Sequence, residues 1–317
     1  MVTIKDIARA AKVSVSTASR ALNNNARISV ATRQRVQKIA KDMGYVPNDT
    51  ARNLSRGESN MVGLVLPVTS EKAPANPFHL DLMRGISAAL TPLHYAMALA
   101  IGQSRLDLLS QVKSLVEGSK VRNFIVFYTM ENDPVTAYFR SEDINFVVIG
   151  HPTQGHTDRF VDSDNVRAGQ AATSELLNRY PQVKHPVFLK SAQNWRYEQD
   201  REQGYGKEMQ KRGLTSQVFD TPDDEVKLKT ILAPDSPIDG LIAADDLVYL
   251  HVIHAAHKYH CYKEIPTICF NNSRLLGMLM PDIERVDLLP RQIGETAVKV
   301  LFDPQQHEQL IDFEIKQ

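Results

Sequence analysis

The chain has 317 residues, of which 43% are hydrophobic and 23% charged, and these values exclude both a single small domain and a disordered chain. No apolar run approaches the roughly 18 residues of a membrane-spanning helix, and the N-terminus has no secretory signal pattern. Two cysteines, Cys261 and Cys269, are too few for a disulfide framework and lack a paired metal-binding spacing. We therefore expect a cytoplasmic protein of two or three domains, with no cofactor and no membrane contact.

Charge is unevenly distributed, although the 37 basic and 37 acidic residues cancel. Residues 1–58 contain eleven basic and four acidic residues, so this segment carries +7 and the remaining 259 residues carry −7. A basic head on an acidic body suggests that the head alone contacts a polyanion. Basic residues that only solvate a helix surface would give the same charge, so both interpretations stay open on charge alone.

The first 45 residues have the pattern of three short helices. Thr3 and Asp6 have the spacing of a capping box before a first helix, and Ser14 is a good N-cap for a second. A third helix is predicted from about Val30 to Met43, with Met43 facing inward and Gly44 ending the helix. Two short helices joined tightly form a helix-turn-helix, which predicts a small all-α DNA-binding head.

The second predicted helix exposes side chains that suit a major groove. Val15 can contact a thymine methyl group, Ser16 can bond to several bases, and Arg20 can bind guanine with two hydrogen bonds.

The stretches TIKDIARAAKVSVSTASRALNN from Thr3 and GYVPNDTARNLSRG from Gly44 resemble the head and hinge of the LacI/GalR family of bacterial transcriptional regulators. The resemblance implies a head at 1–46 and, at 47–58, a hinge helix whose Leu54 wedges into the minor groove. Eight residues, 48–55, are too few for a stable isolated helix, and Leu54 has no obvious core to pack into. Both observations agree with a wedge role, and an ordinary linker leucine is the alternative. The DNA-contacting residues expected from the motifs and the resemblance are Thr3, Ser14, Val15, Ser16, Thr17, Arg20, Asn23, Tyr45, Asn48, Ala51, Arg52 and Leu54.

From Met61 onward, short apolar runs alternate with amphipathic segments, which is typical of an α/β fold with parallel sheets. Strands are predicted at Val62–Leu66, Ala96–Ala100, Phe124–Phe127, Phe146–Ile149, Pro186–Leu189, Leu241–Ala243 and Thr267–Phe270. Helices are predicted at Leu80–Leu90, Arg105–Glu117, Val166–Tyr180, Glu198–Arg212, Leu247–Lys258 and Arg291–Phe302. Because the repeat occurs twice, we expect two doubly wound lobes, about 59–160 with a C-terminal return segment and about 161–287, within a core of 59–317.

Six motifs in the core occur in the order in which the same family has them: NPFHLDLMRGI, VDSDNVRAG, DREQGY, AADDLV, CFNN and IGETAVKVLFD. The resemblance implies a core related to periplasmic sugar-binding proteins, with an effector pocket formed by Phe78, His79, Tyr128, Asp164, Arg201, Asp245 and Asn271. The polar neighbours of Trp195 place this residue in the cleft as well. Charged and amide groups can hold vicinal hydroxyls while aromatic rings stack on a sugar, so a saccharide is the expected ligand. Core packing is the alternative role for Phe78 and Tyr128.

The chain departs from the family pattern at three positions. Many members have alanine and glycine where this chain has Val248 and Leu250, and an aspartate is common at the position of Asn271. The HP pair at His151, followed by FVDSDN, is similar to maltose-operon regulators of Gram-positive bacteria, which makes maltose the first candidate.

The segment HVIHAAHKYHC offers a competing signal for a metal site. Its histidines, spaced by three, drift by about 60° per step around a helix, so they cannot all converge on one ion. We therefore expect no metal and a surface or interface role for this helix. The resemblance implies that it packs across a dimer axis, with interface candidates Tyr249, Val252, Leu275, Met278 and Leu279. No heptad tail follows Phe302, which favours a homodimer.

An enzyme is the alternative from another class, because doubly wound lobes also carry dehydrogenases and kinases. The chain lacks GxGxxG after a strand, GxxxxGK[ST] and a credible nucleophile–base pair, so we predict no enzyme. The prediction is a sugar-responsive transcriptional repressor on double-stranded operator DNA. Control by a phosphorylated partner protein instead of a free sugar stays open.

Overall fold

The computed structural model describes residues 2–45, 59–68, 76–153, 155, 157–221, 225–261 and 263–316, without the side chains of residues 225 and 226. The chain divides into two compact units, Met1–Ser59 and Asn60–Gln317, which we call the head and the core and treat separately. The predicted hinge at 47–58 lies outside the described residues, and so do Asn48, Ala51, Arg52 and Leu54.

Within residues 2–45 of the head, three helices pack around a small apolar core: α1 (Ile4–Ala10), α2 (Val15–Leu22) and α3 (Val30–Asp42). The predicted capping box is present, because the Thr3 N–H donates to the Asp6 carboxylate at 3.0 Å. Ser14 caps α2 as expected by accepting the Thr17 N–H at 3.0 Å. Met43, expected inward, is 37% exposed because it follows the last residue of α3.

In the described part of the core, twelve strands form two six-stranded sheets. In chain order they are β1 (Met61–Val65), β2 (Ala96–Ala100), β3 (Asn123–Val126), β4 (Asn145–Ile149), β5 (Phe160–Ser163), β6 (Pro186–Lys190), β7 (Val218–Asp220), β8 (Gly240–Ala243), β9 (Thr267–Phe270), β10 (Glu284–Asp287), β11 (Glu308–Ile311) and β12 (Glu314–Lys316). The first sheet has the order β11-β5-β4-β3-β1-β2 and the second the order β12-β10-β9-β8-β6-β7. All paired strands are parallel except β10 and β12, so the predicted pair of doubly wound sheets is confirmed.

Helices cover both faces of each sheet and bury two apolar layers in each lobe. The helices are α4 (Pro77–Leu90), α5 (Arg105–Lys113), α6 (Pro134–Ser141), α7 (Asn165–Arg179), α8 (Arg196–Arg212), α9 (Glu225–Leu232), α10 (Asp246–Tyr259), α11 (Arg274–Leu279) and α12 (Pro290–Phe302). Strands buried on both faces are nearly continuous apolar runs, which is why the sequence pattern located β1, β3, β4, β6, β8 and β9 but not β5 and β10. Within the described residues, no helix has the length and apolarity needed to cross a membrane.

The chain crosses between the two lobes three times: from β5 to α7, from β10 to α12, and from β11 to β12. Helix α12 returns to the first lobe, where it packs against α4, β4 and β5. Two ion pairs join these crossings: Arg167 with Asp312, and Lys316 with Asp287 at 2.7 Å. Any change in the angle between the lobes must therefore be absorbed at these linked segments.

Candidate functional site

The outer face of α2 presents the side chains that were expected to read DNA. Val15 is 44% exposed, and Ser16 and Arg20 are exposed on the same helix. Ser14, Thr3 and Asn23 are exposed beside them.

Two of the expected DNA contacts are partly engaged within the head. The Thr17 hydroxyl lies 2.8 Å from that of Ser14, and Tyr45 packs against the apolar core of the head. Residues 2–45 contain nine basic and only two acidic residues, so the head as a whole attracts phosphate.

A cleft of about 540 Å³ opens between the lobes of the core and is within the size range of small-molecule pockets. The first lobe contributes the start of α4 and the first turns of α12, and the second lobe contributes the segments after β9 and β10. The described residues that line it are Pro77, Phe78, Asp81, Asn271, Asn272, Ser273, Asp287, Leu289, Pro290, Arg291, Gln292, Glu295, Thr296 and Lys299. Of the eight predicted effector residues, the cleft therefore contains Phe78 and Asn271.

Phe78 connects the two lobes at this cleft. It lies in the first turn of α4, where the Asn76 side chain caps the helix by accepting the Phe78 N–H at 2.9 Å. Its ring packs against one apolar cluster of the first lobe and one of the second. A ring in contact with both lobes changes its surroundings when the lobes move.

Arg201 lies in a buried polar network of the second lobe and is 4% exposed. Its Nε donates to Oδ1 of Asn165 at 2.9 Å, and its Nη1 donates to the Ala244 carbonyl. The guanidinium is held between the rings of Tyr197 and Phe270, at 4.6 and 4.5 Å from their centroids.

The same network continues into the first lobe. Asn165 also donates from Nδ2 to Asp162 at 3.1 Å, and Asp162 accepts the backbone N–H of His151 at 2.9 Å. Asp162 belongs to β5 of the first sheet, whereas Asn165 begins α7 of the second lobe. Burial raises the pKa of Asp162 to about 6.

Asp245 caps α10 and closes the network on the other side. One carboxylate oxygen accepts the Val248 N–H at 2.8 Å and the other accepts the Tyr197 hydroxyl at 3.0 Å. Burial raises the pKa of Asp245 above its ordinary value. In this conformation Asp245 therefore holds Tyr197 against Arg201.

Asn271 follows β9 with a left-handed backbone, at φ 72°, a conformation that asparagine tolerates better than most residues. Its Nδ2 donates to one oxygen of Asp246 at 3.1 Å. The other oxygen of Asp246 is buried and has no hydrogen-bond partner among the described residues. At the second-lobe wall of the cleft, the amide of Asn271 is therefore held by a buried carboxylate.

Tyr128 does not line the cleft, which corrects the expectation for this residue. It is buried in the core of the first lobe that lies against α5 and α6, and its hydroxyl donates to Asp133 at 3.1 Å. Burial, with the neighbouring Asp133 carboxylate, raises the pKa of Tyr128 above its ordinary value. Core packing, the alternative role, is what the structure gives it.

Arg201, Asp245 and the three remaining effector candidates also lie outside the cleft lining. His79 packs edge-on against Phe127 at 5.8 Å, and burial lowers its pKa to about 4, so it is neutral at pH 7. Asp164 caps α7 by accepting the Arg167 N–H at 2.9 Å. Trp195 is half-buried at the N-cap of α8.

Sequence reasoning missed Asp162, Asn165, Tyr197 and Glu198. Glu198 is fully buried and accepts backbone N–H groups from Ser191 and Trp195, both at 2.8 Å, and burial raises its pKa to about 7. The motif VDSDN contains Asp162 and Asn165, so its polar residues directly after a strand were the available signal. Nothing in the sequence pattern distinguished Tyr197 or Glu198 from surface positions of an amphipathic helix.

The interface candidates divide into two groups. Tyr249 and Val252 are buried in the core of the second lobe, which corrects their expected place at a subunit contact. Leu275, Met278 and Leu279 on α11 are 48%, 80% and 52% exposed. A second apolar surface, which the sequence analysis missed, follows the edge strand β2 with Met97, Leu99 and Ile101 at 38%, 49% and 56% exposure.

The histidine-rich helix α10 places His251, His254 and His257 on its exposed side. Within the described residues, no three potential metal ligands cluster.

Three family models match the chain. The model of the LacI family of bacterial regulatory proteins matches residues 3–48, and the model of periplasmic binding proteins and the sugar-binding domain of the LacI family matches residues 59–233. A periplasmic binding protein-like domain model matches residues 183–311. The first of these models covers the head, and the second covers more than half of the core.

Relatives match over nearly the whole chain. The transcriptional regulator MalR of Streptococcus pneumoniae is 31% identical over 98% of this chain and 95% of its own length. MalR of Staphylococcus xylosus is 29% identical over 99% and 94%. The crystal structure of the Lac repressor dimer bound to operator covers 100% of this chain and 98% of its own with a TM-score of 0.78; at 16% identity this likeness concerns the fold. These proteins are named as regulators and repressors, not enzymes, and this chain belongs to the LacI family of bacterial regulatory proteins.

Proposed function

We propose that this protein represses a sugar-utilisation operon and that a saccharide bound between the lobes lowers its affinity for the operator. Maltose is the first candidate because both relatives described above are named MalR and the HP pair at His151, followed by FVDSDN, is similar to maltose-operon regulators. The observation that carries the proposal is the hydrogen-bonded chain from Arg201 through Asn165 to Asp162, which passes from the second lobe into the first sheet. The protein acts in the cytoplasm, where the operator is.

The head is proposed to bind a pseudo-palindromic operator, with α2 of each subunit in a major groove. The exposed side chains of Val15, Ser16 and Arg20 support this assignment. A guanine bound by Arg20 with two hydrogen bonds is worth about 1 to 3 kcal/mol of discrimination.

Leu54, in the hinge outside the described residues, is proposed to unstack the central base step of the operator. Leu54→Ala should weaken binding to the operator and leave the salt dependence on random DNA nearly unchanged, because non-specific binding comes from phosphate contacts. Titrations of both DNAs at several salt concentrations measure this. An equal loss on both DNAs would remove the wedge assignment.

The active form is proposed to be a homodimer. The exposed apolar residues of α11 and of the edge strand β2 support two contact surfaces, one on each lobe. A contact that involves both lobes would transmit a change in lobe angle to the partner subunit.

Sugar binding is proposed to change the angle between the lobes at the linked crossings and so separate the two hinges. A ligand shifts an equilibrium only by its difference in affinity for the two states. A coupling of about 1 to 3 kcal/mol would lower operator affinity about 5- to 150-fold. Contacts to Asn271 in one lobe and Phe78 in the other supply that difference, and Arg201 is proposed to act through the buried network.

The test measures operator binding by wild type, Arg201→Ala and Arg196→Ala in the presence of each sugar in a panel of mono- and disaccharides, with maltose first. Arg196 is a matched control because it lies on the same helix, is 41% exposed and pairs with Asp200. We expect sugar to release wild type and Arg196→Ala, whereas Arg201→Ala stays bound. A wild type that responds to no sugar would contradict the proposal and favour control by a phosphorylated partner protein. An Arg201→Ala variant that responds normally would remove Arg201 from the sugar site.

A further inference from the structure

Each lobe contains a pair of helices that cross at glycines, and the glycines of the two pairs occupy corresponding positions. In the second lobe, α7 crosses α8 so closely that a Cβ on Gly169 would lie 2.2 Å from the carbonyl oxygen of Arg201. In the first lobe, α4 crosses α12 so that a Cβ on Gly85 would lie 2.0 Å from the carbonyl oxygen of Arg291. Each crossing therefore places one arginine backbone directly against a glycine.

The reverse contacts repeat with identical spacing. Three residues after Arg201, a Cβ on Gly204 would lie 2.1 Å from the carbonyl oxygen of Val166. Three residues after Arg291, a Cβ on Gly294 would lie 2.3 Å from the carbonyl oxygen of Leu82. Val166 and Leu82 each precede the glycine of their own helix by three positions. The repeat thus aligns the two helix pairs residue by residue.

The side chains of the two arginines follow the same alignment. Nε of Arg201 donates to Asn165 at 2.9 Å, and Nε of Arg291 donates to Asp81 at 3.2 Å. Asn165 and Asp81 each lie four residues before the glycine of their helix. Position, backbone contact and hydrogen-bond partner therefore all correspond.

From this correspondence we infer that Arg291 is the first-lobe counterpart of Arg201 and binds the effector from the opposite wall of the cleft. Arg291 lines the cleft, and its side chain is 65% exposed, whereas Arg201 is buried. The inference rests on the proposed binding of sugar in this cleft and adds a residue that the sequence analysis did not select.

The ion pair between Arg291 and Asp81 can be exchanged for contacts to a ligand. An exposed ion pair contributes little to stability, so Arg291 can leave Asp81 at small cost. Asp81 keeps a second partner, because Nη1 of Arg84 donates to it at 3.0 Å. A guanidinium carries five donors, enough to bind the vicinal hydroxyls of an uncharged saccharide. With Arg291 on one wall and Asn271 on the other, the sugar contacts both lobes.

The experiment compares Arg291→Ala with Arg84→Ala in the full chain. Both variants remove one arginine from Asp81, but Arg84 is not among the residues that line the cleft. We expect Arg291→Ala to weaken maltose binding about tenfold or more in a calorimetric titration, as for loss of a hydrogen bond to a charged group. Arg84→Ala should bind within about twofold of wild type, and thermal unfolding checks that both variants fold.

Arg291→Lys provides a second variant, because it keeps the charge and removes the planar fork. An affinity between those of wild type and Arg291→Ala supports the assignment. Equal affinities for Arg291→Ala and Arg84→Ala would overturn it. If Arg201→Ala abolishes binding and Arg291→Ala does not, the proposed function stands and only this inference fails. If wild type binds neither maltose nor any other sugar of the panel, both are wrong.

Discussion

Replacing Gly204 by alanine tests the packing that places Arg201. Helix α8 contains two glycines, Gly204 and Gly206, that differ in their surroundings. A Cβ on Gly204 would lie 2.1 Å from the carbonyl oxygen of Val166 and 2.6 Å from the backbone nitrogen of Gln170, whereas a Cβ on Gly206 would have no atom within 4 Å. Because Cβ atoms do not come within 3.0 Å of backbone atoms, α7 and α8 would have to separate by about 1 Å.

Two effects of opposite sign determine the change in the free energy of unfolding. Alanine favours a helix over glycine by about 1 kcal/mol, and overpacking typically costs about 1 to 3 kcal/mol. The atoms in the way are backbone atoms that cannot rotate aside, so the larger cost applies at Gly204. We expect Gly204→Ala to lower the free energy of unfolding by about 1 to 2 kcal/mol and Gly206→Ala to raise it by about 0.5 to 1 kcal/mol. In a unit of this size, each kcal/mol shifts the melting temperature by about 2 to 4 °C.

The assay is thermal unfolding followed by the fluorescence of Trp195, the only tryptophan in the sequence. Trp195 is the N-cap of α8, so its signal reports on the unit that carries the substitution and not on the head. If Gly204→Ala melts at or above the temperature of Gly206→Ala, the close crossing of α7 and α8 is wrong. The alignment of Arg201 with Arg291 would then lose its basis.

Three further substitutions test other parts of the molecule. Arg20→Ala should weaken operator binding by about 1 to 3 kcal/mol in a DNA titration at fixed salt, and an unchanged affinity would show that α2 does not read the bases through Arg20. Burial raises the pKa of Glu198 from 4.5 to about 7, so the folded core favours the protonated carboxyl and loses stability as pH rises through this range. In Glu198→Gln the melting temperature should therefore fall less between pH 4.5 and 7 than in wild type. An equal fall of the melting temperature in both proteins would contradict this. If the proposed dimer forms through α11, Met278→Asp should convert it into a monomer in sedimentation equilibrium, whereas Leu310→Asp, at a 54% exposed position on β11, should stay dimeric. A dimeric Met278→Asp would remove α11 from the proposed interface.

Local chemistry in the sequence predicted the head and the strands β1–β4, β6, β8 and β9. The caps at Thr3 and Ser14 act within three residues of themselves, so their outcome does not depend on the rest of the chain. Strand β10, with the sequence ERVD, was missed because its buried charges hide the apolar pattern. Glu284 is paired with Arg179 at 2.9 Å and Asp287 with Lys316 at 2.7 Å, and neither partner is near in sequence.

The tertiary structure alone decided which polar residues meet at the cleft. Phe78 and Asn271 line the cleft, whereas Tyr128 lies in the core, where its hydroxyl donates a hydrogen bond to Asp133. Side chains on neighbouring positions of a strand point to opposite faces, so a shift of one position separates a ligand contact from a core residue.

Contacts between distant parts of the chain explain the rest. Arg201 meets Asn165 across 36 residues, and Arg291 meets Asp81 across 210 residues, because two helix pairs cross at glycines that allow backbone contact. The sequence contains these glycines but does not state which helix each one faces. Which helices face each other depends on the order of the parallel strands, because helices on one face of a sheet pack against the neighbours that the strand order gives them.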